Sequence, residues 1–220
     1  MGNVDTNLAR HNMVEQQVRP WEVLNPIVLN TLEQIPRENF VPSQYKNLAY
    51  ADTEIPLGNG FGMMHPVVEG RILQLLDIQP QEDILEIGTG SGFLTACLGH
   101  LGHHVTSIEI DETLSQTAAE RLVEHGILNV SLVVDDATNT DNLNQQYDVI
   151  AITGAMYELP IVFKQALKPG GRLFVITGES PTMEARLITR TDEDSWSDQM
   201  IFEYDLKPLI HAEKGKQFIF

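Results

Sequence analysis

Cysteine is almost absent from this sequence: Cys97 stands alone among 220 residues. A disulfide within the chain and a cysteine-built metal centre are excluded by counting, and Cys97 falls in an apolar stretch that reads as core. Basic residues are also scarce, 14 Lys and Arg against 31 Asp and Glu, for a net charge of −17. A field of that sign repels a phosphate backbone, and no local basic patch offsets it, so nucleic acid is not an expected partner. No apolar run approaches the roughly 20 residues of a membrane span, and the opening Met-Gly-Asn-Val-Asp-Thr lacks the apolar heart of a secretion signal. The expected setting is the cytoplasm, without membrane contact. The seven histidines are scattered, with His103 and His104 on opposite sides of a strand start, so no metal site is assigned.

What the sequence does have is a short apolar run followed by closely spaced glycines, Asp83-Ile-Leu-Glu-Ile-Gly-Thr-Gly-Ser-Gly-Phe93. Ile84 to Ile87 suits a strand buried on both faces of a parallel sheet. Gly88, Gly90 and Gly92, with Thr89 and Ser91 between them, let the chain turn sharply and bring a ligand against the backbone. Helical spacing from Phe93 to Leu101 ends that loop at a helix N-terminus. The dinucleotide fingerprint is G-x-G-x-x-G, whereas here the spacing is G-x-G-x-G after Glu86. The next strand, His104 to Glu109, ends in an acid 19 residues after Gly90, where a carboxylate can grip both hydroxyls of a ribose. A nucleoside without a diphosphate fits these residues; a nicotinamide enzyme with a degenerate fingerprint is the alternative.

At 24.6 kDa the chain is expected to form one domain, with residues 1–65 as a helical and looped extension and residues 66–220 as the core. Residues 1–12 are polar and read as frayed. Helical patterns run from Met13 to Glu33 with a break at Pro20, placing Val23, Ile27, Val28 and Leu32 on one face. Pro36 to Pro42 reads as extended, Leu48 to Gly60 as a glycine-ended loop, and Pro66 to Leu76 as a helix opened by proline. Asp111 to His125 has amphipathic spacing. Val130 to Val134 reads as a buried strand, with Asp135, Asp136 and Ala137 at its carboxyl end. Tyr147 to Thr153 and Gly171 to Thr177 follow as strands on either side of a helix from Pro160 to Leu167. Met183 to Thr191 and Gln199 to Tyr204 read as a terminal hairpin, and Lys168 and Arg172 as solvated rim charges.

Several of these segments, in this order, resemble the protein-L-isoaspartate O-methyltransferases: Pro36-Arg-Glu-Asn-Phe-Val-Pro42, Leu48-Ala-Tyr50, Ile55-Pro-Leu-Gly-Asn-Gly60, Glu86-Ile-Gly-Thr-Gly-Ser-Gly92, Tyr147-Asp-Val-Ile-Ala-Ile-Thr153, Glu158-Leu-Pro160 and Lys168-Pro-Gly-Gly-Arg-Leu173. The resemblance covers roughly Met13 to Leu209. It implies a Rossmann-like, doubly wound α/β sheet of seven strands, mostly parallel, with a C-terminal antiparallel hairpin. It also implies S-adenosyl-L-methionine as cofactor and methylation of the abnormal carboxylate of isoaspartyl proteins or peptides, a repair reaction. Glu86, Gly88, Thr89, Gly90, Ser91, Gly92, Glu109, Asp136 and Ala137 are then the expected cofactor residues, with Asp136 accepting from the adenine amino group.

The acceptor side departs from the family. Its Thr-Ile-Ser signature, whose hydroxyls reach the substrate carboxylate, falls here on Gly62-Met63-Met64. The family's Arg ahead of aromatic-Val-Pro-Leu falls on Asp205, before Leu206-Lys207-Pro208-Leu209, where an acid would repel a carboxylate. Three readings stay open: a divergent isoaspartyl methyltransferase using loop amides, Thr153 and His65 beside Met64; a methyltransferase of another small molecule or protein, with Phe61, Met63 and Met64 lining an apolar acceptor site; and a non-catalytic S-adenosylmethionine-binding protein.

Overall fold

The structure, a computed structural model, describes residues 6–139, 143 and 145–212. Helix α1 (Thr6–Met13) runs on through a π turn at Val14–Val18 and a 3-10 turn at Arg19–Trp21, ending at Pro20 and a left-handed Glu22. The expected frayed start is therefore helical from Thr6. Arg10 ties it down by donating to Tyr50 Oη, the Glu33 carbonyl and Glu38 Oε1. Helix α2 (Pro26–Gln34) begins after Asn25, whose side chain accepts from the Ile27 N–H, with proline at the first helical position. Val23, Val28 and Leu32 are buried as expected, whereas Ile27 is 62% exposed because it sits about 100° around the helix from Val28, off the stripe. Between Pro36 and Pro42 the chain makes a 3-10 turn at Arg37–Asn39 instead of running extended, and it buries Arg37, Phe40 and Val41.

The segment read as a loop up to Gly60 is half of a hairpin. Strands β1 (Ile55–Gly58) and β2 (Phe61–Met63) pair antiparallel, with Ile55 opposite Met63. Their two-residue turn has Asn59 at φ 51 and Gly60 at φ 80, the left-handed pair that tight hairpins require.

Helix α3 (Pro66–Leu76) leads into the main sheet, built from β3 (Asp83–Ile87), helix α4 (Phe93–Leu101), β4 (His104–Glu109), helix α5 (Glu112–Glu124), β5 (Val130–Val134), β6 (Tyr147–Met156), helix α6 (Ile161–Gln165), β7 (Leu167–Glu179), β8 (Thr182–Asp192) and β9 (Ser195–Glu203). The seven strands lie in the order β5-β4-β3-β6-β7-β8-β9. β5 through β7 are parallel and β8 and β9 antiparallel, which is the expected sheet with its C-terminal hairpin. Alternation sorts the core into two layers. Ile84, Val149, Ala151, Phe174 and Ile176 face a cluster shared with α1 through α4, while Leu85, Ile87, Ile150, Ile152, Leu173 and Val175 face Phe163 of α6.

β5 is an edge strand, so Val133 and Val134 are exposed where burial was expected. The two expected rim cations are also engaged: Lys168 Nζ lies 2.7 Å from Asp148 Oδ2, and Arg172 donates to both Glu82 oxygens at 2.6 and 2.9 Å and to the Leu76 carbonyl. Arg172 thus caps the end of α3, where free carbonyls favour a cation. Among the described residues, no helix is long and apolar enough to cross a membrane. The chain leaves β3 outward through β4 and β5, then returns to the other side of β3 with β6. The carboxyl ends of β3 and β6 therefore form the topological switch point, where ligands bind in sheets of this kind.

Candidate active site

At that switch point the backbone leaves β3 through Gly88, Gly90 and Gly92, all with positive φ. A Cβ on Gly88 would overlap Thr153 Oγ1 of β6, so only glycine lets the loop lie so close to the sheet. Thr153 fixes that approach by donating its hydroxyl to the Ile87 or Gly88 carbonyl at 2.8 or 2.7 Å. Glu109, at the end of β4, accepts the Gly90 N–H at 2.8 Å on one oxygen and the Asp111 N–H at 3.0 Å on the other. It is only 5% exposed, yet it lines the cleft that opens above the loop. Gly88, Thr89, Gly90, Ser91, Asp136 and Ala137 line the same cleft.

Two expected cofactor residues lie elsewhere. Gly92 is the N-cap of α4, and a Cβ there would press on Ala118 of α5 at 3.0 Å, so this glycine serves helix packing. Glu86 is fully buried behind the loop, where Oε2 accepts from Thr95 and Ser107, each at 2.6 Å. Ser107 in turn lies 2.6 Å from Thr89 Oγ1. The acid therefore braces α4, β4 and the glycine loop from below instead of facing a ligand.

Burial pushes the Glu86 carboxyl up to about 8, with Glu109 and Glu69 adding repulsion against the hydroxyl donors. Its ordinary value is 4.5, so between pH 4.5 and about 8 the folded chain holds a proton that the unfolded chain releases. That contribution to stability is complete below pH 4.5 and is lost as pH rises through about 8. The Glu86→Gln variant, which cannot ionise, should gain about 2 kcal/mol on wild type between pH 6 and pH 8 in urea unfolding. A difference that does not change with pH would overturn this assignment.

Asp136 accepts from Thr138 N–H and Oγ1 at 2.9 and 2.6 Å, and lies 2.6 Å from His211 Nδ1. Against the cost of burial, those bonds hold its carboxyl below the usual range. It is thus a turn-capping residue that also forms cleft wall.

The opposite wall is the β1–β2 hairpin with Phe61 through Met64. Leu57 of β1 reaches over the loop, 3.4 Å from where a Gly90 Cβ would stand. The turn is held on two sides: Asn59 Nδ2 donates to Asp111 Oδ2 at 3.1 Å, and Lys207 Nζ donates to the Gly60 carbonyl. At Gly62 a side chain would overlap the Glu54 carboxylate, which covers the position from outside. The Met64 carbonyl accepts from Arg37 Nη2 at 2.6 Å, and Arg37 Nη1 pairs with Glu69. Arg37 is fully buried and lies 4.9 Å from the Phe93 ring centroid. Burial raises Glu69 to about 7, with Arg37 pulling the other way.

His65 is not among the cleft residues. It precedes Pro66, and its Nδ1 points to Asp52 Oδ1 at 3.2 Å while its ring meets Tyr204 edge-on. Thr153 does line the cleft, but its one proton goes to a backbone carbonyl, which leaves none for a substrate. Asp205, expected to repel a carboxylate, turns away and accepts from Ser180 at 2.8 Å. Lys207 lines the cleft in its stead, with Glu54 and Glu69, none of which the sequence reading had singled out.

Among the described residues the wall carries five carboxyl residues, Glu54, Glu69, Glu109, Asp135 and Asp136, against one cation, Lys207. That charge suits a ligand bearing sulfonium and ammonium groups and opposes a pyrophosphate, so it removes the support for a dinucleotide.

The model of the protein-L-isoaspartate (D-aspartate) O-methyltransferase family matches residues 9–213. The chain belongs to this family. A protein-L-isoaspartate O-methyltransferase of Rhodopseudomonas palustris is 32% identical over 206 residues, 93% of this chain and 94% of that one. Another, of Syntrophus aciditrophicus, is 34% identical over 185 residues, 84% and 85% of the two chains. In fold the chain is similar to a Plasmodium falciparum protein of the same family name, crystallised with S-adenosyl-L-homocysteine. The TM-score is 0.78 at 19% identity, over 91% of this chain and 97% of that one. The isoaspartyl methyltransferase family uses S-adenosylmethionine, and the cleft fits such a ligand at the glycine loop and Glu109.

Proposed function

We propose that this protein methylates the free carboxylate of isoaspartyl residues in damaged proteins and peptides, the first step of their repair, and that it does so in the cytoplasm. The observation that carries the reading is one continuous cleft joining the glycine loop to residues 61–64, the place of the family's acceptor signature. S-adenosylmethionine supplies there a methyl group activated by its sulfonium. Glu109 keeps lone pairs for ribose hydroxyls beyond the two given to backbone N–H groups. On this reading Asp136 and Ala137, which line the cleft, border the adenine end. A carboxylate acceptor has an ordinary pKa of about 4 and is ionised at neutral pH, so no general base is required. What the chain must do is align the attacking oxygen, exclude water and hold the second oxygen with donors.

A second reading, a different acceptor, draws on the Glu54 carboxylate over Gly62 and on the thioethers of Met63 and Met64. Labelled S-adenosylmethionine separates the two. We expect transfer to an isoaspartyl peptide and none to the matching aspartyl peptide. The Met64→Ser variant, which returns a hydroxyl to the acceptor signature, should raise kcat/KM by roughly tenfold, the worth of one hydrogen bond to a charged group. No transfer by either protein, with cofactor binding intact, would exclude isoaspartyl peptides as substrate.

A further inference from the structure

We propose that Lys207 anchors the acceptor carboxylate, replacing the hydroxyls that the family signature would supply at residues 62 and 64. The inference rests on the isoaspartyl reading above. Among the described residues lining this cleft, a carboxylate meets five carboxyl residues and one cation, Lys207. Of these groups only that cation favours its entry.

Three features fit Lys207 to the task. Its backbone is held firmly, because its carbonyl accepts from the Ala155 N–H at 3.0 Å and the Leu209 N–H bonds back to the Ala155 carbonyl at 2.9 Å. The segment thereby pairs beside the end of β6 as a parallel bridge between Ala155 and Pro208, and the side chain projects from a fixed base. Second, the ammonium reaches the hairpin turn and donates to the Gly60 carbonyl. A Cβ at Gly60 would meet it, which shows how close the ammonium lies to the turn. Third, an ammonium has three donors, and Gly60 takes one. Among the described residues Lys207 forms no ion pair, although five carboxyl residues share the wall. Two donors and a full charge thus remain at the Gly60 turn, on the exposed side of the cleft that residues 61–64 also line.

The test compares wild type with Lys207→Gln and Lys207→Arg, using the isoaspartyl peptide as varied substrate. Glutamine keeps a donor for the Gly60 carbonyl but removes the charge; arginine keeps both. For Lys207→Gln we expect KM to rise roughly tenfold or more, with kcat within about threefold and S-adenosylmethionine affinity unchanged by calorimetry. Lys207→Arg should return KM to within about threefold of wild type. Raising salt should raise the KM of wild type relative to that of Lys207→Gln, because it screens the attraction to the ammonium in the first and only the repulsion by the acidic wall in the second. An unchanged KM in Lys207→Gln would overturn the proposal. So would equal impairment of both variants with weakened cofactor binding, the mark of a hairpin tether alone. Absence of transfer to the isoaspartyl peptide by wild type would instead overturn the reading beneath it, and the anchor with it.

Discussion

Replacing Glu109 by alanine is expected to weaken S-adenosylmethionine binding by roughly a hundredfold or more. The side chain acts twice. Its two oxygens already accept the Gly90 and Asp111 N–H groups, which sets the loop and the start of α5 before any ligand arrives. The remaining lone pairs face the cleft, where bonds from ribose hydroxyls to a charged acceptor are worth about 1.5–3 kcal/mol each. Alanine removes both the direct bonds and the preorganisation. The Glu109→Gln variant should fall between, since its amide group turns a donor toward one of those N–H groups. The fold should persist in both, because the site lies at the end of the sheet and not within the two apolar layers. Calorimetric titration checks the expectation, and an affinity for Glu109→Ala within threefold of wild type would remove Glu109 as a ribose ligand.

The Arg37→Met variant should lose about 3–5 kcal/mol of stability, the usual consequence of breaking a buried ion pair from one side. Arg37 is 0% exposed and Glu69 2% exposed, so neither water nor another cation can replace the missing partner. The Met64 carbonyl loses its donor in the same step. For a chain of this length the melting temperature should fall by roughly 10 °C. Arg37→Met combined with Glu69→Leu should recover at least half of the loss, since removing both charges leaves neither unpaired. A loss below about 1 kcal/mol in the single variant, or no recovery in the double, would show that the pair does not hold this part of the core. Met64 and Glu69 both form cleft wall, so the single variant should also bind acceptor less well.

The β3–loop–α4–β4 unit was legible almost to the residue, because an apolar run buried on both faces followed by glycines has few other solutions. Helix α3 was equally plain from Pro66. The β1–β2 hairpin was missed although Asn59-Gly60 is a strong turn signal, since Pro56 and Gly58 weaken any strand reading of the residues before it. Val130 to Val134 shows the opposite failure. An apolar run predicts burial, but an edge position depends on strand order, which periodicity does not carry. Arg37 and Glu69 were hidden for a further reason: local sequence marks a charged residue as surface, and only the packing of distant segments reveals a buried partner. At the site, the glycines and Glu109 were readable from spacing, whereas Lys207 entered the cleft through a backbone pairing with Ala155 that no spacing announces.

The hairpin turn has a kinetic consequence. Its two fastenings, Asn59 to Asp111 and Lys207 to the Gly60 carbonyl, are both exposed to solvent. Bonds of this kind contribute about 1 kcal/mol each, so a released turn is populated at the level of a few per cent. Leu57, which lies over Gly90, would move with the turn, so under the proposed activity we expect the two surface contacts at the end of this four-residue strand to govern how fast the spent donor leaves.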